Sequence, residues 1–134
     1  MEGSAAPQAL RTFALGPIDL EVMHVEPGRA VVELSIRKQH MNSGGRLHGG
    51  VLATLADTAM GIAHYHSQPK DRTSATVEIK VNFLKAVYEG VRLRAEGTVL
   101  KAGASLSLVE CRVYDDHGLF VGQAQGTFIS LPKP

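Results

Sequence analysis

The 134-residue chain has little of several features that particular classes of protein require. Its one cysteine, Cys111, cannot form a disulfide within the chain, which is typical of a reducing compartment. It has no tryptophan, three tyrosines and four phenylalanines, few aromatic rings for a base-stacking surface. Its formal net charge of +1 gives no strong attraction to nucleic acid or a membrane surface. We therefore expect no nucleic-acid partner.

The chain also lacks the apolar runs that membrane insertion and secretion need. No stretch approaches the roughly 20 apolar residues of a membrane-spanning helix. The N-terminal segment shows no basic region followed by an apolar core, so we find no signal peptide. Together with the cysteine count, this predicts a cytoplasmic protein with no membrane partner.

What is present is the composition of a globular protein, with 44% hydrophobic residues. The length suits a single domain over residues 1–134, in which residues 1–14 form a frayed or weakly helical segment. A helix is predicted over residues 48–66. Predicted strands cover residues 15–25, 29–37, 73–84, 91–101, 104–114 and 119–131. This order predicts an α+β fold with an antiparallel sheet of about six strands.

The predicted helix has two contrasting faces. At 100° per residue, one stripe is apolar and should pack on the concave face of the sheet. The opposite face carries small residues, and Asp57 is the only charged residue from Gly49 to Gly61. This second face should therefore lie close to another subunit or a ligand. The apolar stripe consists of Val51, Leu52, Leu55, Ala59, Ile62 and Ala63, and the small face of Gly50, Ala53, Thr54, Asp57 and Gly61.

Asp57 and the start of this helix are the candidate chemical groups. An unpaired, buried carboxylate is costly and tends to have a raised pKa, which suits a general base or nucleophile. A hydrogen bond to neighbouring backbone is an equal alternative on spacing alone. His48-Gly49-Gly50 opens the helix, where amides lack internal acceptors and a ligand carbonyl can approach. This predicts an oxyanion-type site, although a plain loop or close packing would use the same glycines.

The run from Asn42 to Asp57, NSGGRLHGGVLATLAD, resembles the signature of hot-dog fold acyl-CoA thioesterases, nearest to the phenylacetic acid degradation (PaaI-like) branch. Residues 77–86 and 125–128 resemble the same family, and the likeness extends from about residue 15 onward. The resemblance implies a curved antiparallel sheet wrapped around one long central helix. It implies homodimers, usually paired as a dimer of dimers, with active sites at the dimer interface. It also implies hydrolysis of an acyl-CoA substrate without a separate cofactor.

Position by position, the resemblance implies five catalytic residues. Asp57 matches the carboxylate that activates water or attacks the carbonyl, and Gly49 matches the residue whose amide polarises that carbonyl. His48 matches a histidine that shapes this end of the site, and Asn42 a polar residue near the nucleophilic water. Thr76 matches a Ser or Thr that the other subunit often contributes. Strand alternation alone predicts instead that Thr76 shares a solvated face with Glu78, Lys80 and Asn82.

The resemblance also implies contacts with coenzyme A. Lys85 and Lys101 are the cationic candidates for its phosphates. Lys85-Ala86 departs from the Arg-Pro that many relatives carry here, which weakens the phosphate assignment. The complete set of predicted contacts is Gly50, Phe83, Lys85, Lys101, Gly103 and Ser105.

Two other functions are compatible with this fold. A hydratase or dehydratase of the family usually places a catalytic histidine near an aspartate within the helix, whereas His48 stands at the helix start. A non-catalytic acyl-CoA sensor tends to lack the helix carboxylate. We predict no metal site, because His64 and His66 fall on different helix faces and no cysteine pair accompanies them. Cys111 lies in a strand pattern and is predicted to be a core residue.

Overall fold

The structure is a computed structural model that describes residues 7–134. These residues form seven strands, one α-helix and a short 3-10 turn at Lys38–His40. The helix α1 covers Gly49–Tyr65. The strands are β1 (Arg11–Leu15), β2 (Ile18–Glu26), β3 (Arg29–Ser35), β4 (Arg72–Phe83), β5 (Arg92–Lys101), β6 (Leu106–Tyr114) and β7 (Phe120–Pro132).

All seven strands belong to one antiparallel sheet in the order β1-β2-β3-β5-β6-β7-β4. The helix and the five strands from β3 onward lie within two residues of their predicted bounds. The sheet curls around α1, so the curved sheet around one central helix predicted from the resemblance is confirmed. Edge strand β4 follows α1 directly in the chain and runs back along it.

The N-terminal part of the prediction was wrong in two respects. The single strand predicted over residues 15–25 is the hairpin β1–β2, which makes the sheet seven-stranded rather than six-stranded. Gly16-Pro17 forms the turn, with Gly16 at a φ of +59° that favours glycine. Residues 11–14, predicted to be frayed or weakly helical, therefore belong to the paired edge strand β1. The same prediction for residues 1–6 lies outside the described residues.

The apolar stripe of α1 packs on the concave face of the sheet, where five of its six predicted residues are buried and Ile62 is partly buried. Gly97 of β5 makes the closest approach possible, because a Cβ there would lie 2.6 Å from the carbonyl oxygen of Ala59. The small-residue face remains partly exposed. Thr54 and Thr58 on that face donate their hydroxyl protons to the carbonyls of Gly50 and Thr54, so they satisfy their own hydrogen-bonding needs.

No helix among residues 7–134 is long and apolar enough to span a lipid bilayer.

Candidate active site

Asp57 lies in the middle of α1 and points at edge strand β4. Thr76 Oγ1 donates a hydrogen bond of 2.8 Å to Asp57 Oδ1. The partner of the carboxylate is therefore a side-chain hydroxyl and not neighbouring backbone, which was the alternative left open by the sequence. The resemblance implies a threonine that the other subunit often contributes, whereas here Thr76 and Asp57 of one chain are hydrogen-bonded. The short connection after α1 returns β4 alongside the helix.

A β-bulge explains how Thr76 reaches the helix. Thr76 pairs with Phe128 and Glu78 pairs with Thr127, so Val77 is an extra residue in β4 and is 54% exposed. Glu78 accepts a hydrogen bond from Thr127 at the surface, on the face away from Asp57. The single polar strand face predicted for these residues was therefore wrong at Thr76. The bulge turns Thr76 toward the helix while Glu78 stays outside.

Asp57 and Thr76 line a cavity of about 520 Å³, which we call the carboxylate cavity. The cavity lies between the C-terminal half of α1 and both edges of the sheet, and its volume suits a small-molecule group. Its walls are partly apolar and partly hydrogen-bonding. The residues that line it are Arg11, Asp57, Thr58, Gly61, Ile62, Tyr65, His66, Ser74, Thr76 and Phe128.

At the start of α1 one backbone amide is left free. His48 caps the helix, with Nδ1 accepting the Gly50 N–H at 2.8 Å and its carbonyl oxygen accepting the Val51 N–H at 3.0 Å. The Gly49 N–H has no acceptor among residues 7–134. A Cβ at Gly49 would lie 3.1 Å from the Phe83 ring, so only glycine fits here without a shift. Gly49 therefore presents a donor at the positive end of the helix dipole.

Asn42 presents a second donor beside Gly49. Asn42 Oδ1 accepts the N–H groups of Gly44 and Arg46 at 2.8 and 3.2 Å, which identifies the oxygen of the amide and fixes the loop. The Nδ2 group of Asn42 has no acceptor among residues 7–134. Asn42 and Gly49 share a second cavity of about 330 Å³, the amide cavity. The residues that line it are Asn42, Arg46, Leu47, Gly49, Leu52, Phe83, Leu84, Lys85, Ala86 and Val87.

Within one chain, the structure does not bring the predicted catalytic residues together. Asp57 and Thr76 line the carboxylate cavity, whereas Asn42 and Gly49 line the amide cavity. Eight residues separate Gly49 from Asp57, which corresponds to about 12 Å along a helix. Within one chain, the Gly49 amide therefore does not lie beside Asp57. Asn42 is likewise placed with the amide and not with the carboxylate.

The predicted coenzyme A contacts also divide into groups. Phe83 and Lys85 line the amide cavity, together with Arg46, which was not among the predicted contacts. The signal for Arg46 in the sequence was its position in the run from Asn42 to Asp57 that resembles the family signature. Gly50 is exposed, but its N–H is taken by His48. Lys101, Gly103 and Ser105 are exposed at the β5–β6 turn. Ser74 and Phe128 of the carboxylate cavity were also missed. Ser74 shares by regular alternation the strand face of Thr76, which was predicted to be solvated, and Phe128 was noted only as part of the resembling run 125–128.

Burial shifts the pKa of two further side chains, Cys111 and His64. Cys111 is 1% exposed, and burial raises the pKa of its thiol to about 12, so it is a core residue as predicted. His64 is 1% exposed, and burial lowers its pKa below the ordinary value. His66 is exposed at the end of α1, so the two histidines do differ in environment.

One helix inside a curled antiparallel sheet, with a carboxylate in mid-helix and a free amide at the helix start, defines a hot-dog thioesterase. The model of the thioesterase superfamily matches residues 44–121. A putative esterase of Saccharolobus solfataricus is 33% identical over 85% of this chain and 80% of the relative. The 1,4-dihydroxy-2-naphthoyl-CoA hydrolase of Listeria monocytogenes is 31% identical over 74% of this chain and 80% of the relative.

A solved structure extends the similarity to the branch named above. It is a variant of the phenylacetic acid degradation protein PaaI from Thermus thermophilus, which is 27% identical and covers 84% of this chain and 93% of that chain with a TM-score of 0.77. The chain belongs to the thioesterase superfamily, and the PaaI-like resemblance is confirmed. It is a thioesterase.

Proposed function

We propose that the protein hydrolyses the thioester bond of an aromatic or fatty acyl-coenzyme A to the free acid and coenzyme A. The observation that carries this proposal is the hydrogen-bonded Asp57–Thr76 pair in a cavity large enough for an acyl group. The Listeria relative, named as a hydrolase of an aromatic acyl-CoA, supports the same substrate class. The one cysteine, buried as a thiol, fits a reducing, cytoplasmic compartment.

In the proposed reaction Asp57 acts on the thioester carbonyl carbon, through water or directly. As general base, it takes a proton from water while the water oxygen bonds to that carbon. The electrons of the carbonyl double bond move onto oxygen, where the Gly49 N–H and Asn42 Nδ2 donate hydrogen bonds. When the double bond re-forms, the C–S bond breaks and the thiolate takes up the proton that Asp57 removed from water. As nucleophile, an Asp57 oxygen bonds to the carbonyl carbon and the C–S bond breaks to release the thiolate; water then cleaves the resulting anhydride to the free acid and the Asp57 carboxylate, and its remaining proton goes to the thiolate.

Two chains are needed to assemble this site. A carbonyl group cannot contact both Asp57 and the Gly49 amide of one chain, because they are about 12 Å apart along the helix. A two-fold axis perpendicular to α1, beside its partly exposed small-residue face, would place two helices antiparallel. The Gly49 and Asn42 donors of one chain then face the Asp57–Thr76 pair of the other. We propose such a homodimer as the catalytic unit, with a dimer of dimers as the assembly.

Coenzyme A is assigned to the amide side of the site. The amide cavity contains two cations, Arg46 and Lys85, and an exposed aromatic ring, Phe83. Guanidinium and ammonium groups suit the phosphates of coenzyme A. Lys101, Gly103 and Ser105 lie at the β5–β6 turn, outside this cavity. We propose that this turn provides a further contact for the long coenzyme A arm.

The structure favours hydrolysis over the two alternatives. A hydratase would need an imidazole near the carboxylate, but His48 Nδ1 is occupied by the Gly50 N–H at the other end of the small-residue face. His66 lines the carboxylate cavity but caps the C-terminal end of α1, nine residues or about 13 Å along the helix from Asp57. A sensor without turnover has no need for a carboxylate oriented by a hydroxyl. Here Thr76 orients Asp57. This oriented carboxylate supports a general-base role for Asp57.

The test is a thiol-release assay with phenylacetyl-, hydroxyphenylacetyl-, benzoyl- and straight-chain acyl-CoA esters. Asp57→Asn keeps an acceptor for Thr76 but cannot take a proton, and it should lower kcat by about 10² to 10⁴. Asp57→Ala should do the same. Lys70→Ala, in the exposed connection after α1, is the control for a surface substitution. Wild-type turnover by Asp57→Asn with an unchanged Tm would contradict the mechanism, and coenzyme A binding without thiol release from any ester would favour a sensor.

A further inference from the structure

His64 is the one fully buried polar side chain of α1, and the proposed mechanism does not use it. It is 1% exposed and lies seven residues after Asp57, on the same helix face, with Gly61 between them. This face is the one that α1 turns toward β4 and β7. Burial removes water from the imidazole and costs free energy unless the ring finds a hydrogen-bond partner, so the contacts of His64 are informative.

Both contacts of His64 are with residues that neighbour Thr76 in the sheet. His64 Nδ1 is 2.6 Å from Ser74 Oγ, and Ser74 precedes Thr76 by two residues on the same side of β4. The His64 ring also packs against Phe128, with ring centroids 5.8 Å apart. Phe128 is the β7 residue that pairs with Thr76 in the sheet. One side chain thus contacts both the strand that carries Thr76 and the residue opposite it.

The β-bulge makes these contacts important. Val77 interrupts the regular pairing of β4 immediately after Thr76. The side on which the Thr76 hydroxyl lies therefore depends on the segment before the bulge. Ser74 is the next residue of this segment that faces the helix, and its hydrogen bond fixes the segment to α1. The Asp57–Thr76 and His64–Ser74 bonds form two successive links between helix and strand.

We propose that His64 is a positioning residue for the Asp57–Thr76 pair, acting through its hydrogen bond to Ser74 and its contact with Phe128. The inference rests on the proposed function, since it concerns the geometry of the same carboxylate. His64 does not line the carboxylate cavity, whereas Ser74 and Phe128 do. His64 therefore acts on turnover through the placement of Thr76 and not by contact with the acyl group.

The neutral state of the imidazole supports this role. Burial lowers the pKa of His64, so the ring is uncharged at neutral pH, and one nitrogen can accept a hydrogen bond while the other donates one. The bond to Ser74 can then form with either group as the donor. No other side chain of residues 7–134 hydrogen-bonds to the ring.

Two substitutions separate the two contacts of His64. His64→Phe keeps an aromatic ring against Phe128 but removes the partner of Ser74, whereas His64→Asn keeps a hydrogen-bonding group near the Nδ1 position and loses the ring. We expect His64→Phe to lower kcat about five- to tenfold with KM nearly unchanged, the effect of one lost hydrogen bond. We expect His64→Asn to keep most of kcat. Cys111→Ala, a cavity in β6 away from the site, should lower Tm without changing kcat.

A double-mutant cycle tests the route through Thr76, even if His64→Phe folds poorly. Ser74→Ala should lower kcat about as much as His64→Phe in the wild-type background, and should have no further effect in Thr76→Ala. Equal losses in both backgrounds would overturn the proposal, as would wild-type kcat in His64→Phe. Matching losses of kcat and Tm in both His64 variants would show a merely structural role. A fully active Asp57→Asn would instead sink the proposed function.

Discussion

Thr76 Oγ1 and Asp57 Oδ1 are joined by a 2.8 Å hydrogen bond that links edge strand β4 to the middle of α1 within one chain. The threonine proton points at Oδ1, and Oδ2 has no hydrogen-bond partner among residues 7–134. One oxygen therefore fixes the rotamer of the carboxylate while the other is available to the substrate or a water molecule. This division of roles between the two oxygens is what a positioned general base needs.

We first predict that Thr76→Ala lowers kcat about tenfold and changes KM little, because the hydroxyl orients the base but does not bind coenzyme A. Thr76→Ser keeps the hydroxyl and should retain most of the activity. Steady-state thiol release with the best ester measures both constants. A Thr76→Ala variant with wild-type kcat, or a Thr76→Ser variant as slow as Thr76→Ala, would contradict the role of the hydroxyl.

The sequence predicted the individual groups of this site better than their arrangement. Asp57 stood out as the lone charge on a face of small residues, and Gly49 as glycine at a helix start. Their separation follows from helix geometry, since eight residues span about 12 Å. The bulge at Val77 is different, because strand alternation assumes unbroken pairing and thus puts Thr76 on the face of Glu78. Only the pairing of β4 with β7 reveals it.

The same contrast applies to the fold. Long alternating strands and one amphipathic helix were recognised within two residues of their bounds, because their patterns depend on burial alone. The β1–β2 hairpin was missed, although Gly16-Pro17 is a turn dipeptide, because the strand before it is short and mostly exposed. Patterns that burial does not impose carry little signal in the sequence.

Our second prediction is that replacing glycine by alanine has opposite effects on stability at Gly97 and Gly61, which both lie at the contact between α1 and the sheet. Gly97→Ala puts a methyl group 2.6 Å from the Ala59 carbonyl oxygen, where only backbone could move, and should lower the free energy of unfolding by about 1–3 kcal/mol. Gly61→Ala meets nothing closer than 3.8 Å, at the Phe128 ring, and should raise it by about 0.5–1 kcal/mol through helix propensity. Urea unfolding measures both, and equal effects would contradict the close approach of α1 to β5.

Our third prediction is that the stability of the protein depends on pH through the protonation of His64. Burial lowers the pKa of His64 from 6.5, so below about pH 6.5 the unfolded chain binds this proton more readily than the folded chain. The free energy of unfolding should therefore fall as the pH drops from about 7.5 to about 5.5. His64→Asn should show a smaller fall, because it lacks the imidazole of His64 while the other five histidines are the same in both proteins. The same fall in both proteins would contradict the shifted pKa.

Our fourth prediction tests the site shared between chains through two inactive variants that damage different halves of it. Asp57→Ala removes the base. Asn42→Asp keeps the oxygen that accepts the Gly44 and Arg46 N–H groups but replaces the Nδ2 donor with a negative oxygen, which should repel the developing oxyanion. Each variant alone should lose most of its turnover. In a mixed dimer, one of the two sites receives both intact halves, with the base from one chain and the donor from the other.

Random exchange of the two variants makes about half of the dimers mixed, so the mixture should recover roughly a quarter of wild-type activity. Differently tagged chains, denatured together and refolded, allow the mixed dimer to be isolated and its thiol release measured. Refolded mixtures of each variant with itself are the control. If the isolated mixed dimer is inactive, Asp57 and Asn42 serve one substrate from the same chain. That result would contradict the proposed two-chain site, because about 12 Å of α1 separates the Gly49 and Asp57 ends of one chain.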